Sequence, residues 1–376
     1  MENDVKYYKK LNNKYKNIII ILSSVIGVGI LCVIFGLILY FGRHSNIIRY
    51  VYNTIREAKV SFVSGVLDRK GDREEFVHNA RNKLDIISSY GDNQGTHPKV
   101  LYFKDGFNGY KYYMVYTPYP FGDDYRENPT IMVSNDMINW KKPEGIKNPI
   151  VSSPSNFETK KIYNSDGHLV YNYKDNTLEC FYRYVNDYND EVIIYRVKSS
   201  DGINWSDSEE VIRSKRSKHD YVSPAIIYED GKYKMWYVYR KTIYYTESED
   251  LVNFSKDVRL KIDYNDKSLK TWHIDVIKSD LGYEVIMVAY SNPSSRETMS
   301  LYYTYSKNNK DFIEAKPIIK PSNVSWDNKG LYRSSFIKDD NGVYYVFYSG
   351  ISEYDTRGIG LSYGNDIYNL RGLYNN

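Results

Sequence analysis

Only two cysteines occur in the 376 residues, Cys32 inside an apolar run and Cys180 far from it. No disulfide framework and no thiolate metal motif is therefore available. Histidine is nearly as rare, at six residues, so any clustering of it carries information. Alanine, the strongest helix former, is scarce. A dominant charge is missing too: 51 basic against 47 acidic residues leave a net charge of +4, and nothing in that balance calls for nucleic acid. What abounds is tyrosine, 42 residues in a chain that is 16% aromatic. Aromatic side chains suit pleated, half-buried surfaces, so the composition favours strands.

One long apolar run stands apart. Residues 18–41 carry no charge, and about 20 apolar residues suffice to cross a bilayer. Lys6, Lys9, Lys10, Lys14 and Lys16 precede the run, opposed by Glu2 and Asp4, and only Arg43 and Arg49 follow closely. The positive-inside rule then puts residues 1–16 in the cytoplasm, makes 17–42 a single-pass signal anchor in the cell membrane, and places the rest outside. A cleaved signal peptide is the competing reading, but its core is shorter, about 7–15 residues, and ends in small residues that Leu39-Tyr40-Phe41-Gly42 does not supply. Residues 43–95 read as a helical connector. Ile47, Ile48, Val51, Tyr52 and Ile55 recur at helical spacing behind Ser45, and Phe76, Val77, Ala80, Leu84 and Ile87 line one face over 73–88.

From residue 96 the chain repeats. The marker is a closing turn, SNDMINW at 134–140, SSDGINW at 199–205, SEDLVNF at 248–254, SKNNKDF at 306–312 and the looser SYGNDIYNL at 362–370. Most copies carry a glycine turn followed by an aromatic strand, as in Gly231-Lys232-Tyr233-Lys234-Met235-Trp236-Tyr237. The first copy, 97–140, shows an apolar run at Val100–Phe103, a turn, an aromatic strand at Tyr112–Tyr116, a long polar loop and a third strand at Thr130–Ser134. It lacks only an outermost strand. Five copies of short strands in one internal order predict an all-β, five-bladed β-propeller over 96–376. A β-sandwich needs no fifth equivalent copy.

In a propeller the first strand of each blade lines the channel, so the residues opening each repeat converge. Here they are polar: Thr96-His97-Pro98, Asn164-Ser165-Asp166-Gly167-His168, His219-Asp220-Tyr221-Val222-Ser223-Pro224, Thr271-Trp272-His273-Ile274-Asp275 and Leu331-Tyr332-Arg333-Ser334. Four of the six histidines sit at these openings, which points to a shared pocket.

The five units, the S-x-D-G-x-N-W turn, the x-Pro openings and the polar channel together resemble the five-bladed glycosidases: arabinanases, β-xylosidases, invertases and levansucrases. The resemblance covers 97–370. It implies acid/base cleavage of a carbohydrate, with an Asp opening blade one, a second Asp opening blade two and a Glu opening blade three. The chain departs from that pattern. His97 stands where the first Asp is expected and Val222-Ser223 where the Glu is expected, while Asp166 matches. The resemblance also implies that the S-x-D turns are structural, and it allows a calcium ion on the axis.

The carboxylates that could carry the chemistry are Glu127, in the loop before Pro129, with Asp166 and Asp275. Asp275 lies two residues beyond His273, on the same face of one strand, where a carboxylate can tune an imidazole. Carboxyl pairs about 5 Å apart imply retention, and about 6.5–9.5 Å inversion. His97, Asn128, His168, Trp272, His273, Tyr332 and Arg333 are the candidate substrate-binding residues. Arg333 could grip a sugar carboxylate or phosphate, or instead ion-pair with Asp275. Tyr119 and Phe121, held between prolines, make a stacking platform. No cofactor is required for this chemistry. A separate option is an axial metal held by His97, His168 and His273 with Asp275. The expectation is a membrane-anchored, extracytoplasmic glycoside hydrolase-like protein acting on a polysaccharide. The alternative is a non-catalytic glycan-binding or scaffold propeller of cell-surface polysaccharide biosynthesis or export.

Overall fold

Short runs of aromatic and β-branched residues, bounded by Asn, Asp and Gly, pair into five antiparallel sheets. The computed structural model describes residues 55, 78–154, 161–291, 298–323 and 326–373. The chain divides into two units, 1–59 and 60–376, and only the second is described beyond Ile55. The anchor at 17–42 lies outside the described residues, among which no helix is long and apolar enough to cross a membrane.

Blade one is β1 (Gly95–Phe107), β2 (Tyr110–Pro118) and β3 (Thr130–Ser134). Its missing outer strand is reduced to a bridge between Val133 and Lys141. Blade two is β4 (Ile162–Asn172), β5 (Thr177–Asn186), β6 (Glu191–Ser199) and β7 (Glu209–Lys215). Blade three is β8 (Val222–Glu229), β9 (Lys232–Tyr239), β10 (Thr242–Ser248) and β11 (Val258–Arg259). Blade four is β12 (Lys270–Ser279), β13 (Gly282–Tyr290), β14 (Ser300–Ser306) and β15 (Lys316–Ile319), and blade five is β16 (Gly330–Lys338), β17 (Tyr344–Ile351), β18 (Arg357–Gly364) and β19 (Arg371–Gly372). The innermost strands β1, β4, β8, β12 and β16 neighbour one another in turn, and β16 returns to β1. The ring is closed.

The repeated turns are self-contained. Asp136 accepts from the backbone N–H groups of Ile138 and Asn139 at 2.9 and 2.7 Å and from the Asn139 side chain at 2.7 Å. Asp201 and Asp250 make the same contacts in the next two blades. These aspartates are used in holding the chain reversal.

Much of the tyrosine joins blades. The Tyr233 hydroxyl donates to Glu179 of the preceding blade at 2.9 Å, Tyr283 to Glu229 at 2.8 Å and Tyr344 to Glu284 at 2.7 Å. Glu284 is fully buried and also accepts from Tyr303. Removing one donor from a buried acceptor costs about 1–3 kcal/mol. Tyr344→Phe is therefore expected to lower stability by about that amount in denaturant melts. An unchanged melt would show that this clamp contributes nothing.

The helix expected over 73–88 is not present in its described part. Residues 78–88 run as bends and extended chain. Before β19 begins, the edge of β18 is open, and this segment covers it: the Leu84 N–H donates to Ile359 O at 2.7 Å, while the Arg81 N–H donates to Leu373 O just past β19 at 3.1 Å. Leu84 and Ile86 are buried against blade five. The approach is close enough that a Cβ on Gly372 would lie 1.8 Å from Asn79 O. Pairing and covering an open sheet edge outweighs helical periodicity here.

Two kinds of left-handed backbone stand out. Hairpin tips at Asn108-Gly109 and Asp230-Gly231 use residues suited to positive φ, as two-residue turns prefer. The β9–β10 tip instead places Arg240 and Lys241 at φ 47° and 65°, a conformation costing about 1–3 kcal/mol for each residue that is not glycine. Arg240 lies 5.1 Å from the centre of the Tyr239 ring and Lys241 3.8 Å from that of Trp272. Exposed cation–π contacts return only about 0.5–1 kcal/mol each, so they do not offset the turn.

The second kind lies on the axis. His97, Asp166 and Ser223 all have φ 54°. Each sits in a register break of its inner strand, between Thr96 and Lys99, Ser165 and His168, and Val222 and Ala225. Corresponding breaks occur at Thr271/His273 and Tyr332/Ser335. A bulge re-aims a side chain, and these five aim the residues that open each blade.

Candidate functional site

The bulges divide the channel into two layers. The upper layer holds His97, Asp166, His273 and Arg333. Two residues further along each strand, about 7 Å away at strand spacing, the lower layer holds Lys99, His168, Asp275 and Ser335. The inner strands of neighbouring blades do not pair with each other, so the lower side chains satisfy backbone groups across the gaps. His168 Nε2 meets Ile226 N at 2.9 Å, Asp275 Oδ2 accepts from Phe336 N at 3.2 Å, and Ser335 Oγ accepts from Val100 N at 3.1 Å.

That division corrects several expectations. Asp275 does not join the upper carboxylates; it is 1% exposed and both its oxygens hold the Lys99 ammonium, at 2.8 and 3.0 Å. Of the four histidines at the blade openings only His97 and His273 come together: His219 stacks on Tyr221 and Tyr239, and His168 lies in the lower layer. Its ring is bound between Ile226 and Arg333, and burial, followed by the Lys99 and Arg333 charges, holds it well below the usual histidine range. Arg333 pairs with Asp166 rather than Asp275, at 3.2 Å, and its other donors reach His168 Nδ1 and Pro224 O. It is 1% exposed and braces the axis. Asn128 is a loop pin: its amide nitrogen donates to Tyr125 O and Ser153 Oγ, and its oxygen accepts from Asn164.

Pinning Asn128 turns the preceding Glu127 inward. Glu127 Oε1 lies 3.0 Å from His97 Nδ1, which also contacts Thr117 Oγ1 at 2.8 Å. Glu127 thus reaches the axis beside His97. Burial, then Asp124 and Asp166, push its carboxyl well above the usual range, favouring a retained proton. Burial pushes the His97 imidazole down to about 3, leaving it neutral. Asp166 is the opposite case. Burial works against its charge, but the surrounding charges, Arg333 first, outweigh burial and hold it ionised.

His97, Asp166 and His273 each offer a ligand atom, and these atoms lie within 4.8 Å of one another. All three are buried, and among the described residues His97 Nε2 has no hydrogen-bond partner. Asp166 is braced by Arg333 and by the Ser223 N–H at 3.1 Å; His97 is braced through Nδ1. Two imidazoles and one carboxylate suit a transition-metal dication, and the bracing matches what orients metal ligands. The donor set therefore fits a divalent metal, with Asp166 in the place that the sequence reading gave to His168 and Asp275. The clue in the sequence was the bulge step itself, His97-Pro98, Asp166-Gly167 and Ser223-Pro224. Lys99 and Thr117 carried no signal that sequence reasoning used.

Aromatic rings wall the cluster. Tyr332 is centred 4.4 Å from His273 and 5.1 Å from His97. Trp272 donates from Nε1 to the Tyr332 hydroxyl at 3.4 Å. Tyr119 lies 6.0 Å from His97 and its hydroxyl donates to Asp124. Sequence reasoning named all three.

Solved structures share this architecture. An N-acetylgalactosamine deacetylase from F. plautii, crystallised with blood group B trisaccharide, superposes with a TM-score of 0.68 at 23% identity, over 77% of this chain and 96% of that one. The catalytic domain of a Coprinopsis cinerea GH62 α-L-arabinofuranosidase gives 0.54 at 12% identity, over 79% and 97%. A GH43 protein from Bacillus licheniformis gives 0.52 at 15%, over 72% and 53%. What is shared is the fold, a five-bladed β-propeller. Among curated proteins, the A type blood N-acetyl-α-D-galactosamine deacetylase of Flavonifractor plautii is 27% identical over 321 residues, 71% of this chain and 41% of that protein. The propeller chain thus spans about two-fifths of that relative. No family model matches the chain.

Proposed function

We propose that the propeller is a metal-dependent hydrolase that removes the acetyl group from an N-acetylated sugar in a polysaccharide. The observation that carries this reading is the buried His97–Asp166–His273 cluster at the axis, supported by the likeness to a deacetylase. A divalent cation bound there would polarise the amide carbonyl. His97 and His273 would hold it as neutral imidazoles, with Asp166 supplying the charge. Tyr332 and Tyr119 would stack on the sugar and, with Trp272, exclude water. Hydrolysis adds water to the acetyl carbon, breaks the C–N bond and delivers a proton to the leaving amine. Glu127 would carry that proton and fix the His97 ring. The uncharged run 18–41 and the lysines before it support a single-pass anchor with the propeller outside the cell.

Glycosidic cleavage, using Glu127 with Asp166, is the second reading, favoured by the presence of two carboxyls in the upper layer. Against it, Asp166 already accepts from Arg333 and from Ser223 N–H. The test is to incubate the full chain in detergent with a divalent metal and blood group A trisaccharide, chitotetraose or hyaluronan tetrasaccharide. Acetate without new reducing ends supports deacetylation. New reducing ends support the second reading, and binding without either product leaves a glycan-binding propeller. Glu127→Gln is expected to lower kcat by about 10²–10⁴, the usual contribution of a positioned proton carrier, while bound metal stays unchanged. Full activity in that variant would remove Glu127 from the mechanism.

A further inference from the structure

The strained hairpin tip at Arg240-Lys241 lies beside the cluster. Lys241 Nζ stands 3.8 Å over the Trp272 ring and 5.3 Å from that of Tyr290. Trp272 adjoins His273 and bonds Tyr332, so a continuous line of rings runs from the metal cluster to this cation. Beyond it, His219 stacks between Tyr221 and Tyr239, both centred 4.6 Å away, and Arg240 lies over Tyr239. Among the described residues neither Arg240 nor Lys241 has a carboxylate within ion-pair distance, whereas Arg183, Arg213 and Arg216 all do. Two cations without counter-charges are thus held over aromatic faces by a turn that their contacts do not stabilise. Such placement of strain marks functional positions.

We propose that the glycan bound at the axis carries an anionic group, a carboxylate, sulfate or phosphate, on the sugar next to the one being processed. Trp272 stacks on that sugar, Lys241 swings from the ring to pair with its anion, and Arg240 reads the same charge from the rim. This rests on the axial site being a carbohydrate site, and it adds a substrate class that the neutral aromatic wall alone does not specify.

The experiment is titration calorimetry on the full chain in detergent, with hyaluronan tetrasaccharide, chondroitin 4-sulfate tetrasaccharide, a teichoic acid fragment and neutral chitotetraose. At least one anionic ligand is expected to bind tenfold or more tighter than chitotetraose at low salt, weakening as salt screens the contact. Hyaluronan tests the carboxylate and the teichoic acid fragment the phosphate, and chondroitin 4-sulfate, which carries a carboxylate as well, tests sulfate added to it. The R240N/K241G variant installs the residues that this turn prefers. It is expected to melt at or above the wild-type temperature while the anionic preference falls to within twofold. Lys241→Gln alone should remove most of the preference. No anionic preference in the wild type, or a preference that survives in R240N/K241G, overturns the proposal. Lysine-dependent anion binding without any acetate release supports it and sinks the deacetylation reading alone.

Discussion

His97→Ala and His273→Ala are each expected to abolish stoichiometric metal binding and to reduce acetate release to background. The two imidazoles come from inner strands of different blades, and only two of the three ligands remain when either is lost. Substitutions that merely disturb residues supporting a metal ligand typically cost about 10–100-fold in affinity or activity, so loss of a ligand should exceed that range. Thr117→Val supplies the graded comparison. It removes the hydroxyl 2.8 Å from His97 Nδ1 but leaves the ligand set intact, and it should fall within about 10–100-fold. The melting curve guards against trivial unfolding, since alanine at these buried positions removes no backbone bond. A variant without His97 that keeps one metal per chain would show that the cluster is not the metal site.

Asp275→Ala is expected to destabilise the protein by about 3–5 kcal/mol, the usual result of stranding one partner of a buried ion pair. Lys99 is 4% exposed and its charge is held by both Asp275 oxygens, of which Oδ2 also accepts from the Phe336 N–H. Asp275→Asn keeps an acceptor for Phe336 but still strands the ammonium, so it should fall short of wild type as well. Replacing the pair together, Lys99→Met with Asp275→Leu, should recover most of the loss, because exchanging a buried pair for apolar residues of similar volume is often neutral or stabilising. Metal content is expected to be unchanged in whatever fraction remains folded. An Asp275→Asn protein of wild-type stability with no activity would return this residue to the chemistry.

These two expectations separate residues that the sequence presents as one group. The blades, their closing turns and the convergence of polar openings were legible because each blade repeats the same local signals, from the aspartate turns to the aromatic second strands. The three-stranded first blade was legible in the same way. The division of the axis into two layers was not. Strand alternation puts His273 and Asp275 on one face, but it says nothing about which of them stands at pocket level, and one two-residue step along the strand carries Asp275 down to Lys99. His168 and Asp166 part for the same reason. Arg333 looked available because its partner, Asp166, comes from a distant blade. Glu127 could be named from its loop, but its approach to His97 depends on the pinning of Asn128 by Asn164 and Ser153, contacts made across 36 and 25 residues. The connector failed differently. Its helical spacing was real, but Ile359 on the open edge of β18 and Leu373 just past β19 offered Leu84 and Arg81 a better use of their backbone groups.

The central claim is that the buried triad binds a metal, and elemental analysis tests it most directly. The full chain, purified in detergent, loaded with a divalent transition metal and passed through a desalting column, should retain about one metal ion per chain, as a single site of three protein ligands with an open position implies. His97→Ala treated identically should retain almost none. A wild-type chain that leaves the column without metal, or a variant that retains as much, would contradict the account.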